Sequence, residues 1–301
     1  MLRSLTGLFA AFVAVGCATG DKPSTGTGFL ADPPSDCRSC AEWNQTQQPF
    51  HIFGNTYYVG MAGVSAVLID GGSELVLIDG GLPQSAAPIL ANVRALGFDP
   101  KQISLILVSH AHYDHVGGVN AIQRYTGARV LASAPAAEAL RRGDLLPDDP
   151  QYDQPQTHRS FPASRNVSAV HDRETHAFGN SQVLGVFTPG HTPGGMSWTW
   201  QACEKSRCLN VVYADSIGPV SVDTYRFSEG LGDQIVRSAN TIANLDCDIL
   251  LGTHPFVFAL QRKYEQGREA FIDPQACRDY SEAAAQKLRE RLAAEMVEQA
   301  S

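Results

Sequence analysis

One pattern, which occurs three times in this chain, constrains the fold more than any other feature. A short apolar run leads into one or more histidines, with glycine or proline close by. The first run, 105–108, precedes His-Ala-His-Tyr-Asp-His at 110–115. His191 lies in Thr-Pro-Gly-His-Thr-Pro-Gly, and His254 lies in Leu-Gly-Thr-His-Pro. Such runs are typical of buried strands, and glycine and proline fix the geometry of the following loops. The repetition favours a shared role for these histidines as metal ligands.

The first of these motifs contains enough ligands for two metal ions. His110 and His112 are two residues apart, so an extended backbone points both to the same side. Asp114 and His115 follow at once, and the glycines at 117–118 allow a tight turn into the next helix. Imidazole nitrogen and carboxylate oxygen are ligands that suit zinc. A chance cluster is disfavoured because the whole chain has nine histidines and three fall within this motif.

Strand and helix patterns alternate along the chain. Apolar runs predict strands at 52–59, 64–69, 75–78, 105–108, 129–132, 182–187, 196–201, 209–213 and 248–251. Helical patterns occupy 85–96, 117–125, 135–142 and 232–245, and a last helix repeats apolar residues every four positions at Tyr280, Ala284, Leu288, Leu292 and Met296. Residues 143–165 predict a long surface loop. Two halves of strands followed by helices predict an α/β sandwich with helices outside two packed sheets.

The N-terminal residues are typical of an export signal. Arg3 precedes an apolar core at 8–15 that is too short to span a membrane, and small residues lead to Cys17. This ending resembles a bacterial lipobox, which would leave Cys17 lipidated. Ordinary signal-peptide cleavage nearby and an uncleaved tail are the alternatives. We therefore expect a signal peptide at 1–17, a flexible tether and N-terminal segment at 18–47, and one folded domain at 48–301.

Composition narrows the classes of partner. The chain has 301 residues, 44% of them hydrophobic, a net charge of -8 and no basic block. This balance suits a globular core and argues against a nucleic-acid partner. We expect an exported, periplasmic monomer without a transmembrane span, with a lipid anchor at Cys17 as one alternative.

The remaining cysteines predict disulfides. One of the seven cysteines is Cys17, and an even number in an exported protein favours pairing. Cys203 and Cys208 enclose four residues between two predicted strands, and Cys247 and Cys277 can tie a strand entry to the final helix. Cys37 and Cys40 are then left to pair locally. A zinc knuckle built from cysteines is the alternative.

The histidine motifs resemble those of the metallo-β-lactamase superfamily, over roughly residues 48–300. The resemblance implies an αββα four-layer sandwich of two packed, mostly antiparallel sheets with helices outside. It also implies two Zn²⁺ per chain. One would be held by His110, His112 and His191, and the other by Asp114, His115 and His254. Asp79 matches an acidic residue of the family that lies behind the ligands, where it would accept the second N–H of a ligand imidazole.

The residues around 215 help to distinguish among the activities of this superfamily. Members of the superfamily cleave thioesters, lactones, sulfates, phosphodiesters and β-lactams. Many non-lactamase members have a bridging aspartate near the position of Asp215, but neighbours on a strand face opposite ways. The residues alone do not decide whether Asp215 or Ser216 faces the metals.

Resemblance to subclass B3 metallo-β-lactamases favours Ser216 as the residue that faces the metals. This resemblance rests on 191–195, 197–200 and 213–216, and the cysteine pairs 203/208 and 247/277 resemble those of its exported members. It implies that a zinc-bound hydroxide, positioned with Asp114, hydrolyses the ring amide of β-lactam antibiotics, including penicillins, cephalosporins and carbapenems. That activity would give antibiotic resistance.

Ser216 would then help to bind the substrate carboxylate. Gln151 in the 143–165 loop and Tyr225 are further candidates for substrate contact, with a solvated loop residue and a packing residue as the respective alternatives. Gly218 departs from the subclass, which often has a hydroxyl there. A lactonase or thioesterase is the second hypothesis, and a metal-binding or redox protein without hydrolytic activity is the third.

Overall fold

Two sheets form the centre of the molecule in the computed structural model, which describes residues 28–300. The expected signal peptide, Cys17 and the first part of the tether lie outside the described residues. The first sheet runs in the order β1 (Phe50–Phe53), β2 (Thr56–Tyr58), β3 (Val67–Asp70), β4 (Leu75–Ile78), β5 (Ile103–Leu107), β6 (Arg129–Ser133) and β7 (Val167–Val170). The second runs in the order β12 (Ile249–Gly252), β11 (Arg207–Ala214), β10 (Met196–Glu204), β9 (Ser181–Phe187) and β8 (Thr175–Phe178).

Helices cover the outer faces of the sheets. They are α1 (Cys40–Trp43), α2 (Ala86–Ala95), α3 (Tyr113–Val116), α4 (Val119–Thr126), α5 (Ala134–Arg142), α6 (Gln156–Arg159), α7 (Gly232–Ala243), α8 (Leu260–Gln266) and α9 (Ala276–Ala300). Short 3₁₀ turns occupy Pro83–Ser85, Pro100–Gln102, Pro255–Phe258 and Arg268–Phe271. No helix within residues 28–300 is long and apolar enough to cross a lipid bilayer. The predicted four-layer sandwich is confirmed.

Side-chain alternation builds two cores from one sheet. In β4, Val76 and Ile78 pack between the two sheets, whereas Leu75 and Leu77 pack beneath the outer helices. Neighbouring residues of a strand point to opposite faces, and here both faces are buried. This is why Leu75–Ile78 is a continuous apolar run in the sequence.

Strand direction brings the functional loops to one edge of the sandwich. The strands β4 and β5 are parallel, as are β11 and β12, and both sheets mix parallel and antiparallel pairs. Because β9 and β11 each pair antiparallel to β10, they run in the same direction. The loops that carry His110, His191, Ser216 and His254 therefore all follow carboxyl ends of strands.

The final helix departs from its predicted apolar stripe at one position. Tyr280, Leu288 and Leu292 pack as expected, but Met296 is 64% exposed. A strict four-residue spacing drifts around a helix that has about 3.6 residues per turn, so the stripe rotates away from the body. Glu295 is buried instead, and its carboxylate accepts the backbone N–H groups of residues 227 and 228.

The described part of the expected flexible tether lies against the domain. Asp32 accepts hydrogen bonds from Arg124 at 2.9 Å and Asn120 at 3.1 Å. Ser35 and Gln84 exchange two hydrogen bonds of 3.0 Å. Residues 28–47 thus contact the α2–α4 side of the molecule.

Three disulfides are present within residues 28–300, and they are the pairs anticipated from the sequence: Cys37–Cys40, Cys203–Cys208 and Cys247–Cys277. The second closes the β10–β11 hairpin, and the third ties the loop before β12 to α9. These bonds use every cysteine of the described chain. The alternative of a zinc knuckle built from cysteines is therefore excluded for residues 28–300.

Candidate metal centre

Six side chains meet in two adjacent groups at the edge of the sandwich. We call His110, His112 and His191 the first ligand group, and Asp114, His115 and His254 the second ligand group. Within each group the three potential ligand atoms lie within 4.8 Å of one another. The rings of His110 and His115 have their centroids 4.4 Å apart, so the groups are neighbours. The structure brings together the same two sets that the sequence motifs implied.

Bonds between the two sheets hold the segment that delivers His110. The indole N–H of Trp198 donates to the carbonyl of Val108 at 3.1 Å, and the backbone N–H of Met196 donates to the carbonyl of Ser109 at 2.8 Å. Both donors belong to β10 of the second sheet. Trp198 therefore packs in the sandwich and also holds the backbone that leads to His110.

The second half of the motif is helical. His112 is the N-cap of the single-turn helix α3, which carries Asp114 and His115. The sequence predicted a loop before a helix at 117–125, whereas the structure has α3 followed by α4 at Val119–Thr126. This extra turn separates the second ligand group from His110 and His112, which precede it in extended backbone.

In the first ligand group, each ring has one nitrogen held by a protein group that lies behind it. Nδ1–H of His110 donates to Asp215 at 2.7 Å, and Nδ1–H of His191 donates to the carbonyl of Gly218 at 3.0 Å. Nε2 of His112 lies 3.3 Å from both carboxylate oxygens of Asp149. Such outer partners fix the tautomer and the orientation of a ligand ring.

The second ligand group has fewer outer partners. Nδ1–H of His254 donates to the carbonyl of Gly63 at 2.9 Å. Oδ2 of Asp114 lies 3.3 Å from Nε2 of His115 and 3.5 Å from Nε2 of His254. Nδ1 of His115 is buried and has no hydrogen-bond partner within residues 28–300. The carboxylate thus links the two imidazoles of its own group.

Electrostatics favour metal-binding protonation states at four of the six side chains, whereas the pKa of His115 is raised because Asp114 outweighs the opposite effect of burial. Burial lowers the pKa of His191 to about 3 and that of His254 to about 4, and it lowers the pKa of His110 well below its ordinary value. Burial would raise the pKa of Asp114, but the adjacent His115 lowers it below the ordinary range. Neutral imidazoles and an ionised carboxylate are the forms that coordinate a cation.

The donor set fits a metal cofactor. Nε2 of His110 is buried without a hydrogen-bond partner within the described chain, which is unfavourable unless a ligand occupies the space that it faces. Five imidazoles and one carboxylate suit zinc, which binds nitrogen and oxygen ligands in sites that keep a position open for water.

Asp79 lies behind the site but does not have the predicted contact. Its carboxylate accepts hydrogen bonds from the backbone N–H and hydroxyl of Ser109 and from the hydroxyl of Tyr213. None of its hydrogen bonds within residues 28–300 involves an imidazole. Asp215 contacts His110 instead, because β11 places Asp215 directly behind that ring. Asp79 thus acts one step further out, through Ser109.

The structure separates the roles of Asp215 and Ser216. Asp215 is fully buried behind His110, whereas Ser216 lines the cavity beside the ligands. The hydroxyl of Ser216 lies 2.7 Å from that of Thr253. Gly218 also lines the cavity, and its carbonyl accepts the hydrogen bond from His191. The question that alternation left open is answered by the fold.

The two further substrate candidates lie in different places. Gln151 lines the cavity, and its side-chain amide donates to Nδ1 of His112 at 3.4 Å. Tyr225 is not part of the cavity lining within residues 28–300. Its hydroxyl accepts the N–H of Leu231, and its ring packs edge-on against Phe227. This corrects the expectation for Tyr225, which has the packing role that was its alternative.

Sequence reasoning missed three residues around the centre. Asp149 supports His112, and the carbonyl of Gly63 supports His254. Trp43 lines the cavity with its ring centroid 5.4 Å from that of His254, and its carbonyl accepts the N–H of Gly63 at 3.2 Å. Backbone carbonyls carry no sequence signal, and Trp43 lies in the stretch interpreted as a tether.

The family of the chain follows from this fold and site together with comparisons to known proteins. A family model described as metallo-beta-lactamase superfamily matches residues 59–203. The Rm3 metallo-beta-lactamase is 45% identical in sequence, with a TM-score of 0.84, over 87% of this chain and 99% of that chain. The chain belongs to the metallo-β-lactamase superfamily, and it is an enzyme of that family.

A second solved structure extends the similarity to a subclass of the superfamily. MEM-A1, a subclass B3 metallo-beta-lactamase isolated from a soil metagenome library, is 44% identical with a TM-score of 0.81, over 85% of this chain and 99% of that chain. The predicted resemblance to subclass B3 is confirmed.

Curated relatives match a shorter part. A hydroxyacylglutathione hydrolase of Ectopseudomonas mendocina is 46% identical over 164 residues, which is 54% of this chain and 50% of that protein. An uncharacterized protein, YobT, of Bacillus subtilis is 32% identical over 145 residues, which is 48% of this chain and 59% of that protein. The chain spans about half the length of these curated relatives.

Proposed function

We propose that this protein is a β-lactamase that holds two zinc ions and hydrolyses the ring amide of penicillins, cephalosporins and carbapenems, which would give antibiotic resistance. The observation that carries the proposal is the pair of adjacent ligand groups, supported by aspartates, at the end of a cavity of about 680 Å³. The likeness to the Rm3 and MEM-A1 enzymes over nearly their whole length supports the choice of substrate.

The first ligand group would hold one zinc ion and the second ligand group the other. The chemistry that bound zinc supplies is a lowered pKa of water and polarisation of a carbonyl. Two such ions also bring a strong positive charge, and Asp114 is the one carboxylate among the six ligands. An excess of positive charge favours anionic substrates, and β-lactam antibiotics carry a carboxylate.

Asp114 is the residue best placed to orient the attacking water. Its pKa is lowered by His115, so it is ionised at neutral pH, and Oδ2 lies against the imidazoles of His115 and His254. Oδ1 has no hydrogen-bond partner within the described residues and can accept one from water. The carboxylate therefore both binds metal and aligns the nucleophile.

Attack by a serine is disfavoured. Ser216 is the only serine among the described residues that line the cavity, and its hydroxyl interacts with Thr253 rather than with a histidine. A serine nucleophile needs an adjacent base. We therefore assign Ser216 to binding of the substrate carboxylate, and Gln151 to contact with the substrate from the 143–165 loop.

A lactonase or thioesterase is the second candidate, and the match to a hydroxyacylglutathione hydrolase favours it. That candidate would gain from an aspartate at 215 that bridges the two metals. Asp215 instead lies behind His110, with Oδ1 at 2.7 Å from Nδ1. This position supports the β-lactamase proposal.

One assay tests the proposal. Zinc-loaded protein is incubated with a penicillin, a cephalosporin and a carbapenem, with and without a chelator, and ring opening is followed by absorbance. We expect hydrolysis that chelator abolishes and that serine-directed inhibitors leave unchanged. Absence of chelator-sensitive ring opening on all three substrates would contradict the proposal, and hydrolysis of a lactone or thioester in the same preparation would support the second candidate.

We also propose export to the periplasm. The N-terminal sequence and the three disulfides support this location, since disulfides persist in oxidising compartments. Lipidation of Cys17 is tested by membrane fractionation of Cys17→Ser, and unchanged membrane association of this variant would exclude the anchor.

A further inference from the structure

The cavity has a second arm that the proposed chemistry does not use. From the ligand groups it continues past Ser216 and Tyr280 into a groove between α9 and the segment formed by the 3₁₀ turn Pro255–Phe258 and α8. The walls of this arm are largely apolar and include Leu250, Phe258, Ala276, Ala283 and Ala284. A cavity of about 680 Å³ is large enough for a whole small molecule rather than a reacting ring alone.

One charged side chain inside this arm lacks a partner. Lys263 lines the cavity and is only 5% exposed. Its ammonium has no hydrogen bond and no ion pair within residues 28–300. The ammonium nitrogen lies 6.0 Å from the centroid of the Phe271 ring. The stem of Lys263 is covered by the protein, while its ammonium reaches the cavity and has no protein partner there to neutralise it.

The charges around the arm favour an anion close to Lys263. Arg262 and Lys287 line the same arm and are exposed, so three cations face two carboxylates, Asp273 and Asp279. Asp273 interacts with Lys263 electrostatically but is not paired with it. It instead accepts the N–H of residue 275 and is thereby partly satisfied.

We propose that this arm is a subsite for an anionic substituent of the substrate, and that Lys263 is the residue that binds the anion. The inference rests on the proposed function, because the ligand groups and Lys263 line one continuous cavity. A substrate whose ring amide lies at the ligand groups can extend its side chain along the apolar walls. The chemical class is a β-lactam whose side chain carries an aryl group and a carboxylate.

A matched pair of substrates tests this assignment. Carbenicillin differs from benzylpenicillin by one carboxylate on the side chain. Replacement of Lys263 by Met keeps the volume and removes the charge. In Lys263→Met we expect KM for carbenicillin to rise about tenfold, with KM for benzylpenicillin and both kcat values within twofold of wild type. Equal changes for the two penicillins would overturn the proposal.

A binding measurement separates this inference from the proposed function. Phenylmalonate carries the aryl group and carboxylate of the carbenicillin side chain without a β-lactam ring. Calorimetric titration of the zinc-loaded protein should show binding that Lys263→Met weakens about tenfold. If neither penicillin is hydrolysed, the β-lactamase proposal fails, while this titration still decides whether Lys263 binds an anion. Unchanged affinity in Lys263→Met would refute the subsite.

Two further variants provide controls. Lys205→Met removes an exposed lysine that does not line the cavity and should change the dissociation constant of phenylmalonate by less than twofold. Lys263→Arg keeps the positive charge and should retain binding. Thermal unfolding of Lys263→Met should occur close to the wild-type temperature, because the ammonium makes no hydrogen bond or ion pair within residues 28–300 and Met keeps the packing of the stem. A lower unfolding temperature, with phenylmalonate binding lost equally in Lys263→Arg, would indicate a structural role instead.

Discussion

The first ligand group, His110, His112 and His191, lies beside the second, Asp114, His115 and His254, but the protein supports the two differently. In the first group the carboxylates of Asp215 and Asp149 and a backbone carbonyl each hold the outer nitrogen of one ring. In the second group a carbonyl holds His254, Nδ1 of His115 has no hydrogen-bond partner within residues 28–300, and Nε2 of His115 lies against Asp114 of its own group.

The two ligand groups also differ in burial, and the first group is again the more enclosed. Every ligand of the first group is buried, whereas His254 is partly exposed and packs between the rings of Trp43 and Phe256. Phe256 is itself 73% exposed. The first group is therefore held by carboxylates and a carbonyl within the sandwich, whereas the support of the second group comes from the cavity wall and from the N-terminal segment.

The largest expected effect is the loss of Asp114. Asp114→Asn removes the one carboxylate among the six ligands and the group that we assign to aligning water. We expect kcat/KM for a penicillin to fall by about 10³-fold. Zinc analysis should show the second equivalent weakened and the first retained. Asp153→Asn, an exposed acid in the 143–165 loop, is the matched control. Loss of both equivalents in Asp114→Asn would contradict independent support of the two groups.

Substitution of the two carboxylates behind the first ligand group should weaken zinc binding by that group. Asp215→Asn and Asp149→Asn keep their shapes but replace the carboxylates that contact His110 and His112. We expect affinity for the first zinc to fall by about 10- to 100-fold. Competition with a chelating dye measures this loss. The loss should be larger for Asp215, which is fully buried and bonded at 2.7 Å, than for Asp149 at 3.3 Å. The reverse order would disprove the ranking by burial and distance.

A smaller loss of zinc affinity is expected at the second ligand group when Gly63 is substituted. In Gly63→Ala the added carbon would lie 2.5 Å from the backbone of Trp43, so the segment that supports His254 must shift. Because the carbonyl is displaced rather than lost, we expect the second zinc to weaken by only about 3- to 10-fold. The same dye competition should leave the first zinc unchanged. An effect confined to the first zinc would show that Gly63 does not act through His254.

Much of the site was predictable because its ligands lie in short local motifs. The residue types at 110–115, 191 and 254, each after an apolar strand, together with the family resemblance, were sufficient to propose six candidate ligands. The strands at β7 and β8 were not predicted, since Val167–Val170 and Thr175–Phe178 are short and only partly apolar. The partners behind the ligands were largely missed, because a carboxylate such as Asp149 or a carbonyl such as that of Gly63 is assigned only by its distance in space.

The sequence by itself determined the family, and it predicted six candidate ligands and three disulfide pairs, because each depends on residue type and spacing. The tertiary structure decided which of Asp215 and Ser216 faces the cavity, since pairing of β11 with β10 and β12 fixes the direction of each side chain. It also assigned the support of His110 to Asp215 rather than Asp79, and placed the unpaired Lys263 in the cavity that holds the ligands. These outcomes depend on contacts between residues far apart in the chain, and only packing of the two sheets and of α9 brings those residues together.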